Sequence, residues 1–153
     1  MFSNSNENTL VNDLIKVTID SADGYRKAAE VADNQSFRTI FMERAAERDA
    51  IVLDMQRFVT EHGDAAEDDG SMAAGLHRIF LNLRDAVTGR DDTAIVAEVE
   101  RGEDYIKAKY EKALADAELT PDVRELIQHA YVKVKEGHDQ MRDLKHGMQP
   151  TSD

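Results

Sequence analysis

The chain has no cysteine, no tryptophan, only two prolines (Pro121 and Pro150), and aromatic side chains at 6% of its 153 positions. Without thiols, disulfides and thiolate metal sites are excluded. With no proline before position 121, no missing amide interrupts helix over most of the chain. No apolar run approaches ~18 residues, so no segment is expected to span a bilayer. Residues Met1–Glu7 lack the basic and apolar stretches of a secretory leader, and the expected location is cytoplasmic. Bases are also scarce, 19 against 31 acids, for a formal net charge of −12. That field repels phosphate backbones, so nucleic acid is not an expected partner. No basic amphipathic face is evident either, so neither is a membrane surface. Glycine-rich phosphate loops, a nucleophile elbow and Ser/His/Asp arrangements are missing.

What remains is a strongly helical pattern. Apolar residues make up 41% and charged residues 33% of the chain, ordinary values for one globular domain. The expectation is a single domain over residues 1–153, with its core at about 8–148 and 149–153 as a flexible tail. Asn8 or Thr9 can cap a first helix to about Ala32, in which Leu10, Leu14, Val17, Ser21, Tyr25, Ala28 and Val31 step by three and four. After the polar turn 33–36, a second helix is expected from about Phe37 to His62, with Phe37, Phe41, Arg44, Arg48, Ile51, Met55 and Phe58 in line. Gly63 stops it. Residues 64–70 read as a solvated acidic loop. A short helix, Met72–Val87, follows, with Leu76, Phe80 and Leu83 on one side. Another long helix is expected from about Thr93 to Asp116, along Val96, Val99, Glu103, Ile106, Tyr110 and Ala113. Thr120-Pro121 starts the last, which reaches about Met148 through Val123, Ile127, Ala130, Val134, Gly137/His138, Met141 and Leu144.

The four long segments, at about 24 to 28 residues each, are roughly 36–42 Å long. Each carries one apolar stripe that must be covered by neighbours. Short connections after the first and before the last make two antiparallel pairs. The roughly 30 residues between the second and the third of them can travel the length of a bundle. The expected fold is therefore all-α, a ferritin-like four-helix bundle with a short extra helix in its long crossover.

Asn8–Ile15, Gly24–Glu30, Gly75–Arg78, Glu98-Val-Glu-Arg-Gly-Glu-Asp104 and Gly137-His-Asp139 fall in an order that resembles an uncharacterised family of bacterial ferritin-like four-helix-bundle proteins, a domain of unknown function. The resemblance runs from about Asn8 to Leu144 and implies the bundle fold. It brings no activity, substrate or catalytic residue.

A dimetal-carboxylate centre in such a bundle takes a Glu from each of two helices and a Glu-x-x-His pair from each of the other two. The first helix places Thr18, Ser21 and Tyr25 inward and offers no central carboxylate. In the second, Glu43 and Glu47 are followed three residues later by Ala46 and Ala50, and Arg44 and Arg48 fall on the inward line. Glu103 stands alone among apolar neighbours, where a carboxylate requires a partner. His138 lies at the edge of its line, three residues after Lys135. The favoured reading is a buried ion pair of Glu103 with Arg48 or Arg44, joined by Tyr25 or His138. The alternative is a degenerate metal site of Glu47, Glu103 and His138, binding iron or manganese. His62, His77, His129 and His146 are isolated. Tyr25, Tyr105, Tyr110 and Tyr131 read as packing tyrosines with a bonded hydroxyl.

The expected function is that of a non-enzymatic, stress-associated bundle acting by surface interaction or homo-oligomerisation, with no cofactor and no catalytic residue. Leu76, Phe80 and Leu83 are the expected interface. The alternative function is a metal-binding protein or dimetal oxidoreductase.

Overall fold

The computed structural model describes residues 4–68 and 92–148. Within them the chain forms helices α1 (Asn4–Val31), α2 (Gln35–Glu61), α3 (Asp92–Leu114) and α4 (Pro121–Met148). No strand occurs among the described residues. The short helix expected at Met72–Val87, with Leu76, His77, Phe80 and Leu83, lies outside the described residues, as does the tail 149–153.

Helix boundaries differ from the sequence expectation mainly at the start. Helix α1 begins at Asn4, ahead of the expected cap at Asn8 or Thr9. Asn8 is buried at 3% exposure, and its amide reaches the His62 carbonyl at the end of α2. Asn34 caps α2 by accepting from the Phe37 amide, and His62 closes that helix ahead of Gly63, whose φ of +80° suits glycine. Each hairpin is then tied by an arginine that reaches back to the preceding helix. Arg38 donates to the Ala32 carbonyl at 2.5 Å. Arg124 donates to the carbonyls of Leu114 and Asp116 at 3.0 and 2.6 Å. These bonds satisfy terminal carbonyls that no helical amide can reach.

Contacts at the helix ends establish the direction of the chain. The Glu7 carboxylate accepts from the Thr120 amide (2.7 Å) and hydroxyl (3.2 Å), so α1 starts beside the start of α4. At the other end, the Asp92 carboxylate accepts from the amides of Asp33 and Asn34, each at 3.0 Å. Helix α2 therefore ends at one pole of the bundle, and α3 begins at the other. The two run parallel, whereas α1–α2 and α3–α4 are antiparallel pairs.

Residues 64–68, expected as free loop, are anchored to this frame. Asn12 donates to the Ala65 carbonyl and accepts from the Glu67 amide, and Gln56 donates to the Glu67 carbonyl. Ala66 is half-buried against the core.

The core is split in two. Toward the Glu7 pole, Val11, Leu14, Ile15, Met55, Ile106, Ile127 and Val134 pack with their neighbours. Toward the Asp92 pole, Tyr25, Ala28, Phe41, Ala45, Val96, Val99 and Met141 form a second cluster. Between them each inward stripe gives up its apolar residue. Helix α1 offers Thr18 and Ser21, α2 Arg48, α3 Glu103 and α4 Gly137. One polar layer interrupts the core.

Candidate functional site

That layer is the candidate site, and it is built around a fully paired charge. Arg48 is 0% and Glu103 2% exposed. A guanidinium and a carboxylate are almost never buried unless they neutralise each other. Here the fork is bidentate: Arg48 Nη1 donates to Glu103 Oε1 at 2.8 Å and Nη2 to Oε2 at 2.7 Å. Nη1 also donates to the Ser21 hydroxyl at 2.8 Å. Three helices are thus joined through one guanidinium group.

The fourth helix contributes space. A Cβ on Gly137 would collide with Arg48 Nη2 and would stand 2.8 Å from Glu103 Oε2, with Arg44 Cδ at 3.6 Å. Only glycine at this position lets the backbone of α4 approach the pair closely enough to seal it. The glycine weakens the helix locally but admits two bulky polar side chains to the interior.

Tyr25 flanks the pair from α1. Its ring lies 5.4 Å from Arg48 Cζ, within cation–π range. Its hydroxyl is buried and makes no hydrogen bond to another protein atom, and neither does Arg48 Nε. Burial, reinforced by the nearby Glu103 carboxylate, pushes the Tyr25 phenol well above its ordinary pKa. For Arg48, burial favours loss of the proton, but the Glu103 carboxylate outweighs it and raises the guanidinium further still. The guanidinium therefore keeps its charge inside the core.

A second polar link lies one turn toward the Glu7 pole. The Thr18 hydroxyl donates to the Leu14 carbonyl at 2.6 Å, which uses its single proton. At 2.8 Å from the Tyr110 hydroxyl, Thr18 therefore accepts, and Tyr110 donates. Burial pushes the Tyr110 phenol up to about 12.

The remaining site residues read from sequence lie apart. Arg44 shares the inward line of α2 by periodicity, yet it turns to the α2–α4 groove. There it donates to Gln140 through Nε and to Glu47 through Nη1, both at 2.8 Å. Glu47 is thereby the partner of Arg44, with its side chain 25% exposed. His138 does not join the buried pair. Its Nε2 is 2.6 Å from Asp104 on α3, and its Nδ1 is 3.2 Å from Asp139 on its own helix. Both oxygens of Glu103 face a guanidinium. Among the described residues, no three His, Asp or Glu side chains converge closely enough to hold an ion.

Asp20, which periodicity sets at the edge of the first helix's apolar line, is buried at 3% exposure, and periodicity missed the layer's dependence on Gly137. For Gly137 a signal existed. A glycine in mid-helix on the inward line, level with two opposed charges, marks a place where something large must fit.

No functionally curated protein matches the chain. One family profile does, across 111 residues that hold Tyr25, Arg48, Glu103 and Tyr110 but stop before α4 with Gly137 and His138. By that match over residues 6–116, the chain belongs to the family described as Domain of unknown function (DUF2383).

Proposed function

We propose that the chain is a non-enzymatic ferritin-like bundle that works as a scaffold, through its surface and through self-association, and holds no metal centre. The ferritin-like reading rests on two antiparallel hairpins whose inner helices run parallel, so that their connection must travel from pole to pole. The non-metal reading rests on one observation. The carboxylate best placed for a cation is already neutralised by Arg48 through two bonds of 2.7 and 2.8 Å. A divalent ion at Glu103 would have to displace a buried guanidinium, leaving that charge unpaired in the core. Neither Glu47 nor His138 is oriented to help, because each is engaged by its own partner.

The test is elemental analysis of protein purified without chelator, wild type beside Glu103→Ala. The expected result is iron and manganese well below one ion per chain, with the variant less stable than wild type. Stoichiometric metal that disappears in a Glu103→Ala protein of unchanged fold would overturn the proposal in favour of a site at Glu47, Glu103 and His138.

A further inference from the structure

The surface through which the scaffold self-associates can be named. Between α1 and α3, toward the Glu7 pole, runs a groove of about 510 Å³. Leu10, Leu14, Val17, Tyr105 and Ala113 give it an apolar floor, and its rims carry Asp13, Lys16, Lys109, Lys112 and Asp116. Lys16 is occupied by Glu67 at 3.7 Å. Asp13, Lys109 and Lys112 make no ion pair among the described residues, and Lys109 Nζ rests over the Tyr105 ring, 5.4 Å from its centre. For the lysines this is unexpected. In a chain with 31 acids to 19 bases, most other bases of the described helices reach a carboxylate or a carbonyl.

The charges are ordered along the groove. Thr18 and Tyr110 stand at one level, and α1 and α3 run antiparallel, so Asp13 falls level with the end of α3 near Asp116. Lys112 and Lys109 lie one and two turns further up, roughly 6 and 10 Å away at 1.5 Å per residue. One end of the groove is therefore acidic and the other basic, with buried Leu14 and Ala113 between them. A twofold axis through that midpoint, perpendicular to the groove, lays the acidic end of one copy on the basic end of the next. Isologous dimers require this kind of self-complementary patch.

We infer that this α1–α3 groove is a homodimer interface. In it, Lys109 and Lys112 of each copy pair with Asp13 and Asp116 of the other across Leu10 and Tyr105. A small anionic ligand fits less well, because the two aspartates would repel it while the lysines attract it. The inference rests on the scaffold reading above and identifies its partner as a second copy of the chain.

Sedimentation of the full chain tests it separately from metal content. Wild type should sediment at twice the 17.2 kDa chain mass. The variant K109E/K112E, altered only at exposed positions and checked for helix content, should dimerise at least about tenfold more weakly. Adding D13K and D116K to it should restore dimers by exchanging the two ends. A wild type that is monomeric at every concentration would overturn the inference and leave the non-metal reading intact. So would a dimer indifferent to K109E/K112E, which would place self-association on another face.

Discussion

Gly137→Ala should destabilise this protein, although the same change in an ordinary helix interior stabilises by about 0.5–1 kcal/mol. The new methyl would point at Arg48 Nη2 and Glu103 Oε2. Both atoms are the ends of long side chains, which usually move aside at little cost. Here they cannot, because each is held by the other and the pair is sealed from solvent. Overpacking of a tight core costs about 1–3 kcal/mol. Displacing one charge-assisted hydrogen bond costs about 1.5–3 kcal/mol more. After the helix-propensity gain, the net loss is about 1.5–5.5 kcal/mol, or roughly 3–20 °C in melting temperature for a domain of this size. Urea unfolding followed by far-UV circular dichroism measures it as a lowered midpoint at unchanged slope. Gly147→Ala is the internal control, since nothing lies within 4 Å of its would-be Cβ. It should be neutral or slightly stabilising. A Gly137→Ala protein as stable as wild type would refute the claim that the glycine exists to house the ion pair.

Three further outcomes follow from the same geometry. Glu103→Gln should cost about 3–5 kcal/mol, since it leaves the Arg48 guanidinium buried beside a neutral amide; chemical unfolding measures it. Asp92→Ala frees the Asp33 and Asn34 amides at the far pole and should cost about 1 kcal/mol, with increased amide exchange confined to the α1–α2 turn. Alkaline stability should fall between pH 10 and 12. Below that window Tyr110 keeps its proton in both states; within it only the unfolded chain gives the proton up, so each step in pH favours unfolding, by about 2–3 kcal/mol in all. Tyr110→Phe should make that slope shallower while the raised phenols of Tyr25 and Tyr131 keep the rest, and an unchanged pH profile would contradict the buried-phenol assignment.

Much of this architecture is legible in the residues themselves. The three-and-four spacing located every described helix to within a few residues, apart from the early start of α1. It also singled out Glu103, because a carboxylate amid Val99, Ile106 and Tyr110 has no other reason to be there. Periodicity could not choose between Arg44 and Arg48. They are four residues apart on one stripe, and only the neighbour decides: Ser21 and Glu103 draw Arg48 inward, whereas Gln140 and Glu47 hold Arg44 in a groove. The locks at the poles were equally invisible. Glu7 caps a helix start 113 positions away. Asp92 reads locally as an ordinary helix-start acid, yet it serves the turn between the two preceding helices. Tyr25 lies at the expected level, and periodicity could not show that its ring face meets Arg48.

The central claim is that Arg48 and Glu103 form one neutral unit in the core, and a double-mutant cycle tests it most directly. Arg48→Met, Glu103→Leu and the double variant would be unfolded in urea beside wild type. The account predicts that each single change costs about 3–5 kcal/mol while the double, which buries no charge, lies far nearer wild type than the sum of the two. Strict additivity would show that the two charges do not depend on each other and would contradict the account.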